Sequence, residues 1–407
     1  MQQWKTSMDS TNFTKITELE TPCFILDNEE FERSIYGFKK ALDNNFKKSI
    51  IGYSVKTNSL PYCLCLARDM GCYAEVVSYD EYELALLCGY SKDHIIYNGP
   101  MKSKETFLDA IINGAVVNIE TKREIEWLEE LPKNNIFNVG IRLNVNISDV
   151  SPEDAKTNDD YSRFGFSFES GELTDAINQI NLLENVKLCG LHVHRTSKTR
   201  SALFYKKLLE YTYNIVEEIN LKLDYIDIGG GYFGIFSNAP TYNDYSNAFY
   251  EVMSKHGSND ITIIVEPGNG IIASAFSFIT SVIDTKKVND SLIVTTDGSR
   301  NDIDPLFSKS NYLKEIIYKN KNSSLISTQI ITGATCLEFD KIFTIENSIE
   351  LQCGDIIKYN NVGAYTMCLT PLFINYYPRV YLYENNTFTL IRDKWTANDY
   401  ITKSKLI

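Results

Sequence analysis

The chain has 407 residues, 43% of them hydrophobic and 23% charged, which is enough for a large folded core and too apolar for a disordered chain. A net charge of −13 argues against nucleic acid or an anionic membrane surface as the main partner. No apolar run reaches the roughly 18 residues needed to span a bilayer.

In chain order, residues 22–27 are strand-like and are expected to pair with the C-terminal part. From about residue 47 onward, β-rich runs at 50–55, 73–77, 94–97, 115–119, 137–145, 186–194, 225–228 and 261–265 alternate with helical stretches. The latter include 103–112, 121–131, 170–180, 201–219 and 242–256, several of which open on Ser or Thr with Glu in the first turn, a capping pattern. Eight strands alternating with helices predict an α/β protein with a (β/α)8 barrel. An open doubly wound sheet is the alternative, because alternation does not demonstrate closure. After residue 270 the β-rich runs 275–282, 291–296, 327–332, 342–345, 355–359, 379–383 and 387–391 are separated by Asn/Ser/Gly turns, which predicts a mostly β domain. The expected division is a barrel over 28–270 and a β domain made from 1–27 and 271–407. Nine cysteines without paired spacing and a polar start, Met1-Gln2-Gln3-Trp4-Lys5, fit a reduced, cytoplasmic protein.

In a parallel barrel the C-terminal strand ends form the active face. Lys56 follows the first strand, Glu75 lies in the second, Arg142 in the fifth, and His192 and His194 in the sixth. Gly229-Gly230-Gly231 follows the seventh, and Glu266-Pro267-Gly268-Asn269 the eighth. A desolvated lysine suits attack on an aldehyde, although a lone strand-end lysine is more often a solvated cap. The triple glycine lets backbone N–H groups approach an anion, or simply makes a tight turn. No Gly-x-Gly-x-x-Gly or Gly-Lys-Thr/Ser is present, which disfavours dinucleotide and P-loop folds. His192 and His194 share a strand face, as half a metal site or as a ring packed on a flat cofactor. With four histidines in the chain, no metal is expected. Glu266 needs a partner if buried: a pyridinium nitrogen, or an ion pair to Arg142 or Lys56. Cys336, in Gly333-Ala334-Thr335-Cys336-Leu337-Glu338-Phe339-Asp340, reads as a proton donor or a structural thiol.

In this order the motifs resemble the fold-type III pyridoxal-phosphate (PLP) decarboxylases, the ornithine, diaminopimelate and arginine decarboxylase group, from about Thr21 to Tyr383. The resemblance implies an alanine-racemase-like barrel followed by a β domain, and α-decarboxylation of an amino acid or an amino-acid derivative, free or carrier-bound. It implies Lys56 as the cofactor lysine and Glu75 as the acidic residue near the cofactor. It further implies Arg142 beside the cofactor, His194 against its ring and Glu266 on its nitrogen. Ser197, Gly229, Gly230, Gly231, Gly268, Asn269 and Tyr365 are implied around the phosphate. Cys336 is implied to reach the site of a second subunit and return a proton, which makes the protein a homodimer with shared sites.

Three departures concern binding and specificity. Arg195-Thr196 replaces a small-residue step before Ser197, and Asn269 stands where the family usually carries arginine. Leu337 replaces the acidic residue that follows the cysteine, and Glu338 substitutes only if the loop shifts by one residue. Asp297 fits a distal-amine aspartate, whereas Asp304 stands in place of the carboxylate-gripping arginine of diaminopimelate enzymes, so diaminopimelate is not expected. Arg300 is expected as a solvated loop arginine or as a contact to the substrate's side chain. Rival readings are a racemase of the same barrel, a non-catalytic decarboxylase-like regulator and a metal-dependent hydrolase.

Overall fold

The computed structural model describes residues 16–155, 162–195, 197–234, 238–319 and 324–405. The start of the chain, including Met1-Gln2-Gln3-Trp4-Lys5, and Thr196 lie outside the described residues. Two compact units are formed, one of Glu32–Ile271 and the other of the described residues before and after that span.

The second unit in chain order of its core is framed first by β1 (Cys23–Asp27), which belongs to the β unit. The Glu32–Ile271 unit is built on β2 (Ser49–Ser54), β3 (Tyr73–Ser78), β4 (Ile95–Met101), β5 (Val116–Ile119), β6 (Phe137–Asn144), a two-residue β7 (Phe166–Ser167), β8 (Val186–Val193), β9 (Tyr225–Asp227) and β10 (Thr262–Val265). All neighbours are parallel, in the order β5-β4-β3-β2-β10-β9-β8-β6, with β7 on β6. Pairing of β5 with β6 through Asn118↔Gly140 and Ile119↔Ile141 closes the ring. That pairing decides for the barrel over the open sheet.

Helices flank the strands as the caps predict. Ser103 accepts from the Thr106 N–H ahead of α1 (Lys104–Ile112), Ser201 from Phe204 ahead of α2 (Ala202–Glu218), and Thr241 and Asp244 form a capping box at α3 (Tyr242–Lys255). Two expected helices differ. The 121–131 stretch is helical only over Lys122–Trp127 before tightening into a 3-10 turn, and the 170–180 helix starts at Glu172 behind Gly171, whose φ of 80° suits glycine.

The β unit centres on β11 (Phe276–Val288), β12 (Ser291–Thr296), β13 (Lys314–Ile317), β14 (Leu325–Thr332), β15 (Lys341–Ile349), β16 (Ile356–Asn360), β17 (Arg379–Glu384) and β18 (Thr387–Arg392). Its sheet runs β15-β14-β12-β11-β1-β17-β18, with β16 on β11 and β13 on β16. The N-terminal β1 is thus a central strand, antiparallel to β11 and parallel to β17, and Cys23 and Ile25 pack there with Ile279, Ile356 and Tyr383. β13 and the short helix Arg300–Ile303 have no counterpart in the sequence reading.

Candidate active site

The first barrel strand ends earlier than its apolar run. β2 stops at Ser54, and Lys56 sits in a 3-10 turn, Val55–Thr57. The turn is fixed by the Tyr53 hydroxyl, which donates to the Asn58 carbonyl at 2.7 Å, and by Pro61, which starts the next helix. Register then brings the neighbouring strand's acid to it. Ser54 lies opposite Glu75, the Ser54 hydroxyl donates to Glu75 Oε2 at 2.6 Å, and Lys56 Nζ donates to the same oxygen. Glu75 is 1% exposed, whereas the lysine side chain is 34% exposed and faces the barrel mouth. Burial pushes the Glu75 carboxyl up. The Lys56 charge and hydrogen bonds from Lys56, Ser54 and Asn98 outweigh that, so Glu75 lies below its ordinary value and is ionised.

The opposite wall carries a second acid, Glu266, directly after β10. Asn98 Nδ2 donates to Glu266 Oε1 at 2.5 Å and to Glu75 Oε1 at 3.2 Å, so one amide joins both carboxylates. Behind it Asn118 Nδ2 donates to Asn98 Oδ1 at 2.9 Å, and the Tyr225 hydroxyl donates to Asn118 Oδ1 at 2.8 Å. Tyr225 fits only because Gly140 and Gly190 lack side chains, since a Cβ at either would lie about 2 Å from its ring or hydroxyl. Burial raises Glu266 well above the usual carboxylate range, and the neighbouring Asp227 and Glu75 charges raise it further. Burial likewise pushes Asp227, which shares a hydrogen bond with Glu266, up to about 7. Two buried carboxyls this close hold a proton between them.

Gly229 and Gly230 are explained by close approach, and Gly231 has φ of 98°, which suits glycine. Gly229 has φ of 67°, and a Cβ there would stand 2.4 Å from His194 Nδ1. A Cβ at Gly230 would stand 2.2 Å from the Glu266 carbonyl oxygen, and one at Gly268 2.0 Å from Thr57 Oγ1. The segments after β2, β8, β9 and β10 therefore pack closely, with glycine backbone against the His194 and Thr57 side chains and the Glu266 carbonyl. The Gly229 N–H donates to Asp227 at 2.9 Å and the Gly230 N–H to His194 Nδ1 at 2.9 Å. Burial, with the charges of Arg142, Lys56 and Arg195, lowers His194 to about 3. The ring is neutral, and acceptance at Nδ1 leaves its proton on Nε2. Gly229→Ala is expected to destabilise the protein by on the order of 2–4 kcal/mol, summing left-handed strain and overpacking against His194, as a lowered urea midpoint. A midpoint equal to that of the wild type would show that the His194 contact yields freely.

Arg142 donates to Glu120 at 2.9 Å, and its guanidinium lies 4.8 Å from the Phe164 ring. Ser197 is buried and accepts from the Arg200 N–H at 2.7 Å. His192 is buried and neutral, pushed far down first by burial and then by the Arg142 charge. Its ring nitrogens make no hydrogen bond among the described residues, and Nε2 stands 3.7 Å from Glu266. His192, Asp227 and Glu266 are close enough to hold a metal ion, a grouping that leaves out His194 and so differs from the expected histidine pair. Asn98, Asn118 and Tyr225 escaped the sequence reading. The available signal was a polar side chain inside an apolar strand, as at Asn98 and Asn118.

The β unit holds Asp297, Arg300, Cys336, Leu337 and Tyr365, whereas Gly231 and Asn269 lie in the barrel unit. Asp297 accepts from the Thr21 hydroxyl at 2.5 Å and the Ser281 N–H at 2.8 Å, so the fold already occupies both of its oxygens. Arg300 is not the solvated loop arginine that was expected. Its Nε and Nη2 donate to Asp304 at 3.1 and 2.9 Å, Nη2 also reaches the Lys309 carbonyl, and the group lies 4.7 Å from the Phe307 ring. The acid at position 304, absent from the family pattern, explains this capture. Asp340 organises the cysteine loop by accepting from Thr335 and from the Arg300 N–H. Leu337 is half-buried with its carbonyl bonded to the Asp340 N–H, and Cys336 and Glu338 are exposed. Tyr365 is 43% exposed, with φ of 54°.

The family model "Pyridoxal-dependent decarboxylase, pyridoxal binding domain" matches residues 29–273, more than half of the chain. The chain belongs to the pyridoxal-dependent decarboxylases. The decarboxylase is 26% identical over 405 residues to a diaminopimelate decarboxylase of Methanocaldococcus jannaschii, covering 94% of this chain and 91% of that protein. It is also 26% identical over 424 residues to an L-glutamyl-(BtrI acyl-carrier protein) decarboxylase of Niallia circulans, covering 97% and 96%. The crystal structure of the M. jannaschii enzyme in complex with L-lysine superposes with a TM-score of 0.83, covering 97% of this chain and 94% of that one at 24% identity. An arginine decarboxylase of Paramecium bursaria Chlorella virus superposes with 0.74, covering 92% and 98% at 18% identity. The decarboxylase is thus a carboxy-lyase dependent on pyridoxal phosphate, on an alanine-racemase-like barrel. Its own residues fit that cofactor, with a lysine at the mouth, a glycine cradle that any Cβ would fill, a neutral imidazole and a buried carboxyl. No described helix is long and apolar enough to cross a membrane.

Proposed function

We propose that the decarboxylase removes the α-carboxylate of an amino acid, or of an amino-acid derivative, whose far end carries no free carboxylate. The observation behind this reading is the capture of Arg300 by Asp304, which commits the arginine of that segment to an internal ion pair instead of a distal carboxylate. A basic amino acid, or one whose side chain is tied to a carrier, meets the condition, and diaminopimelate does not. The tie to a carrier draws on the Niallia circulans relative's name, and the names of the other relatives favour diaminopimelate instead.

Bound pyridoxal phosphate would supply the electron sink for the pair left as carbon dioxide departs. Lys56 would hold the cofactor and exchange it to the substrate amine, with Glu75 orienting the lysine. Glu266 would keep the ring nitrogen protonated, His194 would lie against the ring, and Arg142 would stand beside the cofactor. Ser197, Gly229, Gly230, Gly231, Gly268, Asn269 and Tyr365 would surround the phosphate. In a homodimer, Cys336 of one copy would protonate the α-carbon in the other, beside Leu337. The test is carbon dioxide release from L- and D-amino acids, carrier-bound amino acids and diaminopimelate. Release from basic or carrier-bound substrates is expected, and a higher kcat/KM on diaminopimelate would overturn the assignment.

A further inference from the structure

We propose that Arg200 supplies the positive charge for the cofactor's phosphate that Asn269 does not. The inference rests on the reading of the barrel mouth as a pyridoxal-phosphate site. A phosphate dianion needs donors and charge, and two of the cradle's N–H groups are already committed, Gly229 to Asp227 and Gly230 to His194. Asn269, at the start of the short helix Asn269–Ile272, brings no charge.

Arg200 lies three residues after Ser197, and its guanidinium has no ion pair or hydrogen bond among the described residues. Its guanidinium stands 5.4 Å from the ring of Phe233, two residues beyond the glycine cradle. The Tyr245 hydroxyl ties the two segments together, donating to the Arg200 carbonyl at 2.7 Å and accepting from the Phe233 N–H at 3.2 Å. Phe233 in turn abuts the neighbour of Asn269, since its carbonyl oxygen lies 3.2 Å from where a Gly270 Cβ would stand. Arg200 is thereby tied to the segment that follows the glycines and abuts Gly270. Its backbone has φ of 52°, a conformation that disfavours arginine, and it is held there by its N–H to Ser197 and by Tyr245. The Arg200 N–H fills one acceptor site of the Ser197 oxygen and leaves that hydroxyl's proton to donate.

The experiment compares binding of pyridoxal phosphate with binding of pyridoxal, which lacks the phosphate, to cofactor-stripped protein by equilibrium dialysis. Arg200→Gln is expected to weaken pyridoxal phosphate about 10- to 100-fold, the range for losing one charged hydrogen-bonding partner, and to leave pyridoxal unchanged. Arg200→Lys should recover part of the loss, and adding Asn269→Arg to Arg200→Gln should recover most of it. Equal weakening of both compounds, no weakening, or a phosphate-selective loss in Arg195→Gln instead would overturn the role of Arg200. A wild-type protein that binds neither compound would overturn the cofactor site itself, a result distinct from a lost preference for the phosphate.

Discussion

Lys56→Ala is expected to remove the visible absorbance of the reconstituted decarboxylase and to lower carbon dioxide release at least about 10³-fold. The argument is local. Lys56 is an amine that the Val55–Thr57 turn carries to the barrel mouth, and its approach is set by Glu75 across the β2–β3 register. Removing it also strips Glu75, 1% exposed, of its cation. A buried carboxylate without a partner takes up a proton, so the variant is expected to fold with Glu75 neutral at a penalty of about 2 kcal/mol, discounted because the lysine itself is a third exposed. Circular dichroism separates misfolding from lost chemistry. A variant that retains the absorbance band would show that another group carries the cofactor.

Glu266→Gln is expected to lower kcat on the order of 10²–10³-fold while the absorbance band survives, because an amide keeps the shape and loses the charge that holds a ring nitrogen protonated. Burial, Asp227 and Glu75 all push the Glu266 carboxyl up in this protein, which makes it the group that retains a proton until a cationic partner displaces it. KM should change little, since the effect falls on the chemical step. A kcat within about threefold of wild type would assign that role elsewhere, with Asp227 the first alternative.

Much of the site was legible in the sequence because it is punctuated. Lys56, the triple glycine and Glu266 each sit where an apolar run stops, and a parallel barrel places such stops on one face. The structure adds the cause of the glycines, which is contact with His194, the Glu266 carbonyl and Thr57, an origin invisible to a reading that considers phosphate alone. Barrel closure was not legible, since it depends on two residue pairs between β5 and β6 that no local pattern announces. Asn98 and Asn118 were missed because asparagine ordinarily signals a turn, and here tertiary burial overrides that preference. Arg300 was misjudged because its partner lies four residues on, and only the helical turn of Arg300–Ile303 brings Asp304 beneath it.

The Asn98 amide spans the candidate site, touching both the acid that faces Lys56 and the acid that follows β10. Two motifs far apart in the chain are therefore coupled through one side chain. A change of charge at either acid is expected to be felt at the other, because both accept from that one amide group.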